Sequence, residues 1–331
     1  MLRVFWLVLP GLEVEPEFIV GIINLKTTPD ISIITPCLNR VEYVKEAIES
    51  VFLQDYVYVE HIFIDGGSMD GTLEVLQRYP QLRVISEPDK GIYDAINKGI
   101  RLAKGEIIGF LNTDDLYEPN IISSVVKLFG KSHDIWAVVG ATNIFKVNSL
   151  DHKEIIYSGA SINQDELLER ITLGDCVFNA WFFNKRVFER CGLFNINYKY
   201  AADREFLIRF ALEKIPYANM QNTVYHYRWH TGSITFSDSN NAESEYNVEC
   251  RMIAKQYLKQ EKLTARQKRV FLRWHNKLIT NLVLFSLSQA NISKARLYAY
   301  QGLKSGSWWI YDFIPDLFMS AVRVMKRTVG L

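Results

Sequence analysis

Two adjacent carboxylates, Asp114 and Asp115, are the residues of this chain whose types and spacing are best suited to chemistry. They follow residues 106–111, an apolar run that is typical of a buried β-strand. Carboxylate oxygens are hard ligands of the kind that Mg²⁺ and Mn²⁺ prefer. The pair therefore indicates a divalent-cation site at a strand end. Capping of a helix that begins near Pro119 is the alternative interpretation of the same residues.

Three more polar turns follow strand-like apolar runs, at residues 36–40, 65–72 and 87–91. Ligands of open α/β sheets bind beyond the carboxyl ends of strands, so we expect the four turns to face one crevice. The turn at 65–72 has the glycine spacing of a phosphate-binding loop, but it lacks the lysine of that motif and carries Asp70. It also fails as a calcium loop, because Gly67 and Met69 supply no side-chain oxygen. A polar turn without a ligand is the alternative for this turn taken alone.

Helical patterns alternate with these strands, which predicts a largely parallel sheet with right-handed crossovers. Apolar residues recur at helical spacing over residues 41–53 and 92–103, and Pro119 stands where a helix over 121–129 would begin. Beyond residue 134 we expect strands at 135–140, 154–157 and 222–229, helices at 164–172 and 200–212, and a helical pattern from residue 243 onward.

Composition limits the class of protein. The formal net charge of +1 gives no support for nucleic-acid binding. The four cysteines show no paired C-x-x-C spacing, which argues against structural zinc and against a disulfide framework and fits a reducing cytosol. No apolar run reaches the roughly 18 residues needed to span a bilayer, and the apolar start at residues 2–10 lacks a signal-peptide cleavage site. We therefore expect a cytoplasmic protein without a membrane-spanning segment.

Four motifs follow one another along the chain: Thr35-Pro-x-x-Asn39-Arg40, Asp65-Gly-Gly-Ser-x-Asp70-Gly-Thr72, Glu87-Pro-Asp-x-Gly91-Ile-Tyr-Asp94-Ala-x-Asn97-Lys-Gly99, and Ala103-x-Gly-Glu106 with Leu111-Asn-x-Asp114-Asp115. Over residues 30–235 the series resembles the family 2 glycosyltransferases with the GT-A fold, and the third motif resembles a bacterial surface-polysaccharide branch. This resemblance implies an α/β fold with a mostly parallel sheet flanked by helices, built from a nucleotide-binding half and an acceptor half. An extension at residues 1–29 precedes that domain, and a C-terminal helical region at 236–331 follows it.

The resemblance implies an inverting transfer of sugar from a nucleotide-diphosphate sugar, expected to be a UDP-sugar, to a glycan or lipid-linked glycan. By this analogy Asp115 binds Mg²⁺ or Mn²⁺ directly, while Asp114 contacts ribose or a metal-bound water. Asp65 accepts hydrogen bonds from the base. Ile96 stands where many relatives carry arginine, so Lys98 or Asp94 is expected to replace that contact. The other implied nucleotide-sugar contacts are Thr35, Pro36, Asn39, Arg40, Ser68, Asp89, Asn97 and Asn112.

The resemblance also implies a general base, Asp203, at the start of the predicted helix over 200–212. Glu205 is the second candidate, but two positions further along a helix its side chain points elsewhere. A carboxylate that stabilises the helix dipole is the alternative role of Asp203. His230, followed by Thr-Gly-Ser, resembles a segment that closes over the diphosphate and sometimes supplies a third metal ligand. His226 is the weaker candidate, and a structural histidine is the alternative for both.

Two features of the sequence each have two interpretations: a pair of aromatic residues and the C-terminal tail. Trp181 and Phe182 form either an apolar platform for a sugar ring or part of the core. Residues 308–331 combine Trp308, Trp309 and Tyr311 with an apolar stripe backed by basic residues. This pattern fits a helix in a membrane interface, and it also fits a helix docked on the protein. A lipid-linked acceptor would favour peripheral attachment to the inner face of the cell membrane.

Two other functions compete with a glycosyltransferase. A sugar nucleotidyltransferase would need a glycine-rich basic loop near its N-terminus, and residues 35–40 contain no glycine. A non-catalytic nucleotide-sugar binder needs no catalytic carboxylates, whereas Asp114, Asp115 and Asp203 are all present. The complete set of acidic residues favours an enzyme.

Overall fold

The structure, a computed structural model, describes residues 28–148, 152–159, 166–174, 177–230 and 240–305, together with Trp309 and Ile314. Nearly all of the predicted N-terminal extension lies outside these residues, and so does most of the predicted tail. The described chain folds into one curled α/β sheet with helices against it and a helical region at its C-terminal end.

One sheet contains all the strands of the described residues. Their order across it is β3-β2-β1-β4-β8-β6-β9-β5, with β7 paired to β6 at the side. The strands are β1 Ile31–Cys37, β2 Val59–Asp65, β3 Arg83–Ser86, β4 Ile107–Phe110, β5 Leu116–Tyr117, β6 Ala137–Val147, β7 Lys153–Gly159, β8 Trp181–Asn184 and β9 Tyr217–Arg228.

The helices flank this sheet and continue beyond it. They are α1 Val44–Phe52, α2 Thr72–Leu76, α3 Ile92–Leu102, α4 Ile122–Lys131, α5 Leu167–Leu173, α6 Arg186–Cys191, α7 Ala202–Leu212, α8 Asn240–Leu258, α9 Ala265–Ser288 and α10 Ile292–Ser305. The predicted elements that fall within the described residues are all present, with ends displaced by up to seven residues.

The first half of the sheet is parallel, as the alternation of strands and helices predicts. Strand β1 pairs with β2 and β4 in parallel, and β2 pairs with β3 in the same sense. Every residue of β1 is buried, as expected for a strand covered on both faces. The second half adds antiparallel partners, since β8 runs against both β4 and β6. The predicted α/β fold is confirmed, and the polar turns after β1, β2, β3 and β4 leave the sheet at one edge.

The C-terminal helices share the core of the sheet domain. Phe271 and Trp274 of α9 belong to the same buried cluster as Phe206 of α7. Trp181 and Phe182 are completely buried, which supports their interpretation as core residues. The helical region therefore packs as part of the domain, and its position relative to the sheet follows from burial of apolar surface.

Among the described residues, no helix combines the length and apolar character that crossing a bilayer requires. From the predicted tail, Trp309 is only 4 % exposed and packs with Ile279 and Val283 of α9. The start of the tail thus docks on the protein, while the rest of the predicted amphipathic stripe, apart from Ile314, lies outside the described residues.

Candidate active site

A cavity of about 1150 Å³ opens at the strand edge where the polar turns meet. Pro36, Asn39 and Arg40 after β1, Asp89 after β3 and Asn112 and Asp114 after β4 line one wall. The rest of the lining comes from residues 196–200 and from α7, together with residues from α8 and α9. Three of the four predicted turns therefore line one crevice, which lies beyond the carboxyl ends of parallel strands.

The glycine-rich turn after β2 lies behind this wall and braces it. The Asp65 carboxylate is fully buried and accepts hydrogen bonds from the backbone N–H groups of Gly67 and Ser68 and from the Ser68 and Ser86 hydroxyls. Ser68 Oγ also accepts the backbone N–H of Asn39 at 2.7 Å. Both side chains thus have protein partners that shape the turn, and neither lines the cavity, although the resemblance assigns both to the nucleotide sugar.

Thr35 is also placed beneath the wall. Its hydroxyl lies 2.8 Å from Nε2 of His61, a buried ring. Burial lowers the pKa of His61 to about 3, so the ring is neutral at physiological pH and pairs with the hydroxyl without carrying charge. Thr35 therefore supports the residues that follow it, Pro36, Asn39 and Arg40, which do reach the cavity.

Some residues of the third motif line the cavity, and others make contacts within the protein. Asp89 and Asp94 line the cavity. Asn97 is 3 % exposed, and its amide donates to Phe194 O at 2.9 Å and accepts from Phe194 N at 3.0 Å. Lys98 Nζ lies 2.9 Å from Glu87 and 3.6 Å from Asp94. Asn97 therefore joins α3 to residues 193–195, and Lys98 pairs with the carboxylates of Glu87 and Asp94.

Asp115 is enclosed by hydrogen-bond donors. It is 1 % exposed, and its Oδ2 accepts from the Tyr225 hydroxyl at 2.6 Å and from Asn112 Nδ2 at 3.1 Å. Its Oδ1 accepts from the backbone N–H of Arg228 at 2.8 Å. Burial, reinforced by the neighbouring Asp114 carboxylate, raises the pKa of Asp115 well above its usual value. This carboxylate is held in place by three contacts from β9 and its own turn.

Asp114 is the member of the pair that lines the cavity. Its Oδ2 lies 3.0 Å from His230 Nε2, and the His230 ring packs on Tyr43 with centroids 4.9 Å apart. Arg228, 5 % exposed, donates from Nε to the backbone oxygen of Asp114 at 2.8 Å. Its guanidinium also pairs with Glu46 at 2.9 Å. The structure therefore brings Asp114 and His230 together and anchors their loop to α1.

These donors fit a divalent cation of the Mg²⁺ or Mn²⁺ type. Among the residues that the structure describes, no group of three or more histidine, cysteine or acidic side chains could hold a metal ion. Mg²⁺, however, is usually bound by one or two carboxylates together with substrate phosphates. Asp114 lines the cavity, and His230 lies 3.0 Å from it without being a lining residue. Together they could supply the protein share of such a site, so the donor set suits a cation that arrives with a diphosphate.

Asp203 also lines the cavity, at the first turn of α7. Its carboxylate accepts the backbone N–H of Arg204 at 2.7 Å and a hydrogen bond from the Tyr93 hydroxyl. Burial raises its pKa above the usual value for aspartate. Glu205 is turned away: it is buried and accepts hydrogen bonds from Arg209 at 2.8–3.0 Å and from Tyr257 at 3.1 Å. Of the two candidates for a base, Asp203 is the one at the cavity.

A carboxylate from the C-terminal region supports the segment before Asp203. The residue ahead of α7, Ala201, has no side-chain cap. Glu249 of α8 accepts the backbone N–H groups of Lys199, Tyr200 and Ala201 at 2.8, 2.8 and 3.0 Å. Glu249 thereby fixes the segment that leads into α7 and satisfies the N–H of its N-cap residue, Ala201.

Sequence reasoning missed several of these residues. Tyr225 and Arg228 lie in the histidine-containing segment that it singled out, so their proximity to that segment was a usable signal. Tyr93 lies within the third motif. No pattern in the sequence pointed to Glu249. Its helix, α8, packs onto α7 only in the folded protein, so the number of residues between Glu249 and Asp203 follows no recognisable motif.

Comparisons with known proteins agree with this geometry. The sequence model described as glycosyl transferase family 2 matches residues 32–192. An uncharacterised glycosyltransferase of Mycobacterium tuberculosis is 30% identical over 201 residues, which cover 57% of this chain and 71% of that protein. A PGL/p-HBAD biosynthesis glycosyltransferase of Mycobacterium bovis is 29% identical over 187 residues, covering 55% of this chain and 69% of the relative.

Two solved structures share the fold. Residues 1–349 of TarS from S. aureus align with a TM-score of 0.56 at 14% identity, covering 84% of this chain and 92% of that chain. The mannosyltransferase PcManGT from Pyrobaculum calidifontis, in complex with GDP-Man and Mn²⁺, aligns with a TM-score of 0.56 at 15% identity, covering 90% and 81%. At such identities the likeness establishes a common fold.

Proposed function

The chain belongs to the family 2 glycosyltransferases, and on that premise we propose that it transfers a sugar, with inversion, from a UDP-sugar to a hydroxyl of a glycan or lipid-linked glycan. The observation that carries the proposal is one cavity that is lined both by Asn39, Arg40 and Asp114 of the sequence motifs and by Asp203. A donor and an acceptor bound together in this cavity would meet next to a carboxylate base.

Asp203 takes the proton of the acceptor hydroxyl in this mechanism. The acceptor oxygen forms its new bond to the anomeric carbon, and the bond from that carbon to the diphosphate oxygen breaks, with its electron pair leaving on the nucleoside diphosphate. Attack from the face opposite the leaving group inverts the configuration. A pKa raised by burial suits a base, because proton abstraction is most efficient when the pKa approaches the working pH.

For the metal site we propose Asp114, which lines the cavity, and its neighbour His230 as ligands, with Asp115 supporting them. The resemblance assigned direct coordination to Asp115, but the three donors around that carboxylate and its burial favour a supporting position. A bound Mg²⁺ or Mn²⁺ would neutralise the charge that develops on the leaving diphosphate. Arg228 and Tyr225 hold the Asp114–Asp115 turn in position for this.

The biological setting is proposed from the relatives. One relative is described as a PGL/p-HBAD biosynthesis glycosyltransferase, and another, 28% identical over 206 residues, is a chondroitin synthase of Escherichia coli of which this chain covers 29%. Such names support a role in building cell-surface polysaccharide or glycolipid. TarS has been crystallised with UDP-GlcNAc and PcManGT with GDP-Man, so a donor screen should include both nucleotides.

A screen of sugar nucleotides tests the proposal. Release of the nucleoside diphosphate is measured for the full chain with UDP-, GDP- and other activated sugars, with Mn²⁺, Mg²⁺ or EDTA. We expect one donor to be hydrolysed in a cation-dependent way. Asp203→Asn should lower turnover by roughly a hundredfold or more with donor affinity nearly unchanged, since it keeps size and loses basicity. Glu213→Gln, on an exposed carboxylate after the last turn of α7, is the matched control and should behave as wild type.

The two neighbouring carboxylates are compared in the same assay. Asp114→Asn should raise the Mn²⁺ concentration needed for half-maximal rate more than Asp115→Asn does, because only Asp114 lines the cavity. Asp134→Asn, on an exposed turn, is the control. If Asp115→Asn raised the required Mn²⁺ concentration more than Asp114→Asn, Asp115 would be the direct metal ligand. A wild-type protein that hydrolyses no sugar nucleotide under any condition would leave the non-catalytic binder as the better interpretation.

We further propose that the protein works in the cytoplasm and binds the inner face of the membrane through its tail. Support comes from the basic and apolar pattern of residues 310–331 and from a lipid-linked acceptor. Because Trp309 packs on α9, the truncation to test removes residues 310–331. The intact chain should sediment with anionic vesicles and the truncated chain should not, while both hydrolyse the donor. An intact chain that never sediments contradicts this part.

A further inference from the structure

The cavity is larger than one substrate needs. Small-molecule pockets usually measure about 300–1,000 Å³, and this one measures about 1150 Å³. The motif residues account for only part of the lining. A second part, here called the second wall, comes from the C-terminal helices and consists of Tyr246 and Asn247 of α8 and Asn281 of α9. These helices come after the family match at residues 32–192.

This second wall lies close to the proposed base. The Arg204 guanidinium carbon is 5.6 Å from the centre of the Tyr246 ring, and Arg204 directly follows Asp203. The Tyr246 hydroxyl hydrogen-bonds with Cys250, and burial raises the pKa of Tyr246 well above its usual value. The hydroxyl therefore stays protonated, and its oxygen can accept a hydrogen bond from a sugar hydroxyl. A group bound against α8 would therefore lie within reach of the carboxylate that accepts the proton.

The chemistry of the wall suits a sugar. A carboxamide offers both donors and acceptors, as the hydroxyl groups of a sugar require, and Asn281 contributes one to the lining. An aromatic ring offers an apolar surface beside its hydroxyl. Within the described part of the chain, the Asn281 carboxamide has no hydrogen-bond partner although it faces the cavity. A polar group at a half-buried wall is best satisfied by a polar ligand.

We infer that α8 and α9 form the acceptor subsite, in which Tyr246 and Asn281 bind a neutral, polyhydroxylated sugar of the acceptor next to Asp203. The inference rests on the proposed glycosyl transfer. It assigns acceptor specificity to helices outside the family-matched segment, so relatives with different C-terminal helices would bind different acceptors at the same catalytic wall.

An array of immobilised oligosaccharides tests the subsite without a known acceptor. Labelled full-length protein is applied in the presence of UDP and Mn²⁺, and affinity for UDP is measured separately by calorimetry. Wild type should bind a defined subset of glycans. Asn281→Ala and Tyr246→Phe should bind these glycans about tenfold more weakly, the effect of one well-formed hydrogen bond. Both should retain affinity for UDP, which the motif residues are proposed to bind. Gln260→Ala, on an exposed amide just after α8, is the control.

Each outcome decides the question. Loss of glycan binding with UDP binding retained supports the subsite. The inference is overturned when the wild type binds no glycan, when the variants bind glycans as it does, or when they lose UDP as well. Failure of donor hydrolysis in the wild type would refute the proposed transfer itself, and that measurement is made without any glycan.

Discussion

Replacement of Glu249 provides a sharp test of how the C-terminal helices support catalysis. The Glu249→Ala change removes the acceptor of three backbone N–H groups at 2.8, 2.8 and 3.0 Å. A hydrogen bond to a charged group contributes about 1.5–3 kcal/mol. Lys199 is exposed and its N–H can turn to water, whereas Ala201 is buried. We therefore take about 3 kcal/mol as the total loss in free energy of unfolding, which is the low end for two bonds.

The glutamine variant separates charge from geometry. In the wild type, Oε1 accepts from Lys199 while Oε2 accepts from both Tyr200 and Ala201. In Glu249→Gln the remaining oxygen can face the Tyr200 and Ala201 pair, and the amide nitrogen then faces the exposed Lys199 N–H. The bond to Lys199 is replaced by water, while the bonds to Tyr200 and Ala201 pass from a charged to a neutral acceptor, so we expect a decrease of about 1–2 kcal/mol.

The effect of Glu249→Ala on activity follows from the position of these three N–H groups just ahead of α7. They belong to the segment that lines the cavity and leads into the first turn of α7, which carries Asp203. Displacement of a catalytic group by about 1 Å can cost on the order of a hundredfold in rate. We expect Glu249→Ala to lower kcat at least tenfold with little change in the donor KM. The acid limb of the pH–rate profile should also move, since three unpaired N–H dipoles favour an ionised Asp203 and lower its pKa.

The assay combines urea denaturation with donor-hydrolysis kinetics across pH. Glu245→Ala, an exposed glutamate one helical turn earlier on α8, is the control and should change neither measurement. The reasoning is refuted if Glu249→Ala unfolds at the same urea concentration as Glu245→Ala, or if it loses stability while kcat and the pH profile stay as in the wild type.

Three further predictions concern the buried polar groups. Asn97→Ala leaves the Phe194 N–H and C=O without partners and should lower the free energy of unfolding by about 2–4 kcal/mol in urea titrations; a loss of donor affinity alone would favour a nucleotide contact. Burial raises the pKa of Asp203, so the folded protein disfavours its ionised form and stability falls as pH rises through that pKa. Asp203→Asn should thus be more stable than wild type at pH 8, and urea midpoints should converge toward about pH 4; a constant difference would contradict this. Tyr225→Phe removes the hydroxyl that donates to Asp115 and should raise the Mn²⁺ concentration for half-maximal rate about tenfold; an unchanged titration would exclude a supporting role.

The parts of the site that sequence reasoning located are those that depend on local pattern. Alternating apolar runs and helical spacing predicted the parallel half of the sheet, and strand ends of such a sheet share an edge. Pro36, Asn39, Arg40, Asp89 and Asp114 accordingly line one cavity. The position of Asp203 came from a resemblance in its surrounding motif, and the structure places it at the same cavity.

What each polar side chain does at that edge was decided by the tertiary structure. Asp115 receives its donors from Tyr225 and Arg228, and Asn97 clamps Phe194, so the partners are separated by about a hundred residues. Spacing along the chain says which strand end carries a carboxylate, but the direction of the carboxylate depends on donors that arrive from other segments. The same holds for Glu249, whose helix reaches α7 only through burial of the shared apolar core. The sequence by itself therefore determined the fold class and the edge of the sheet at which the cavity lies. Packing between distant segments determined which carboxylates line the cavity and which are held by other protein groups.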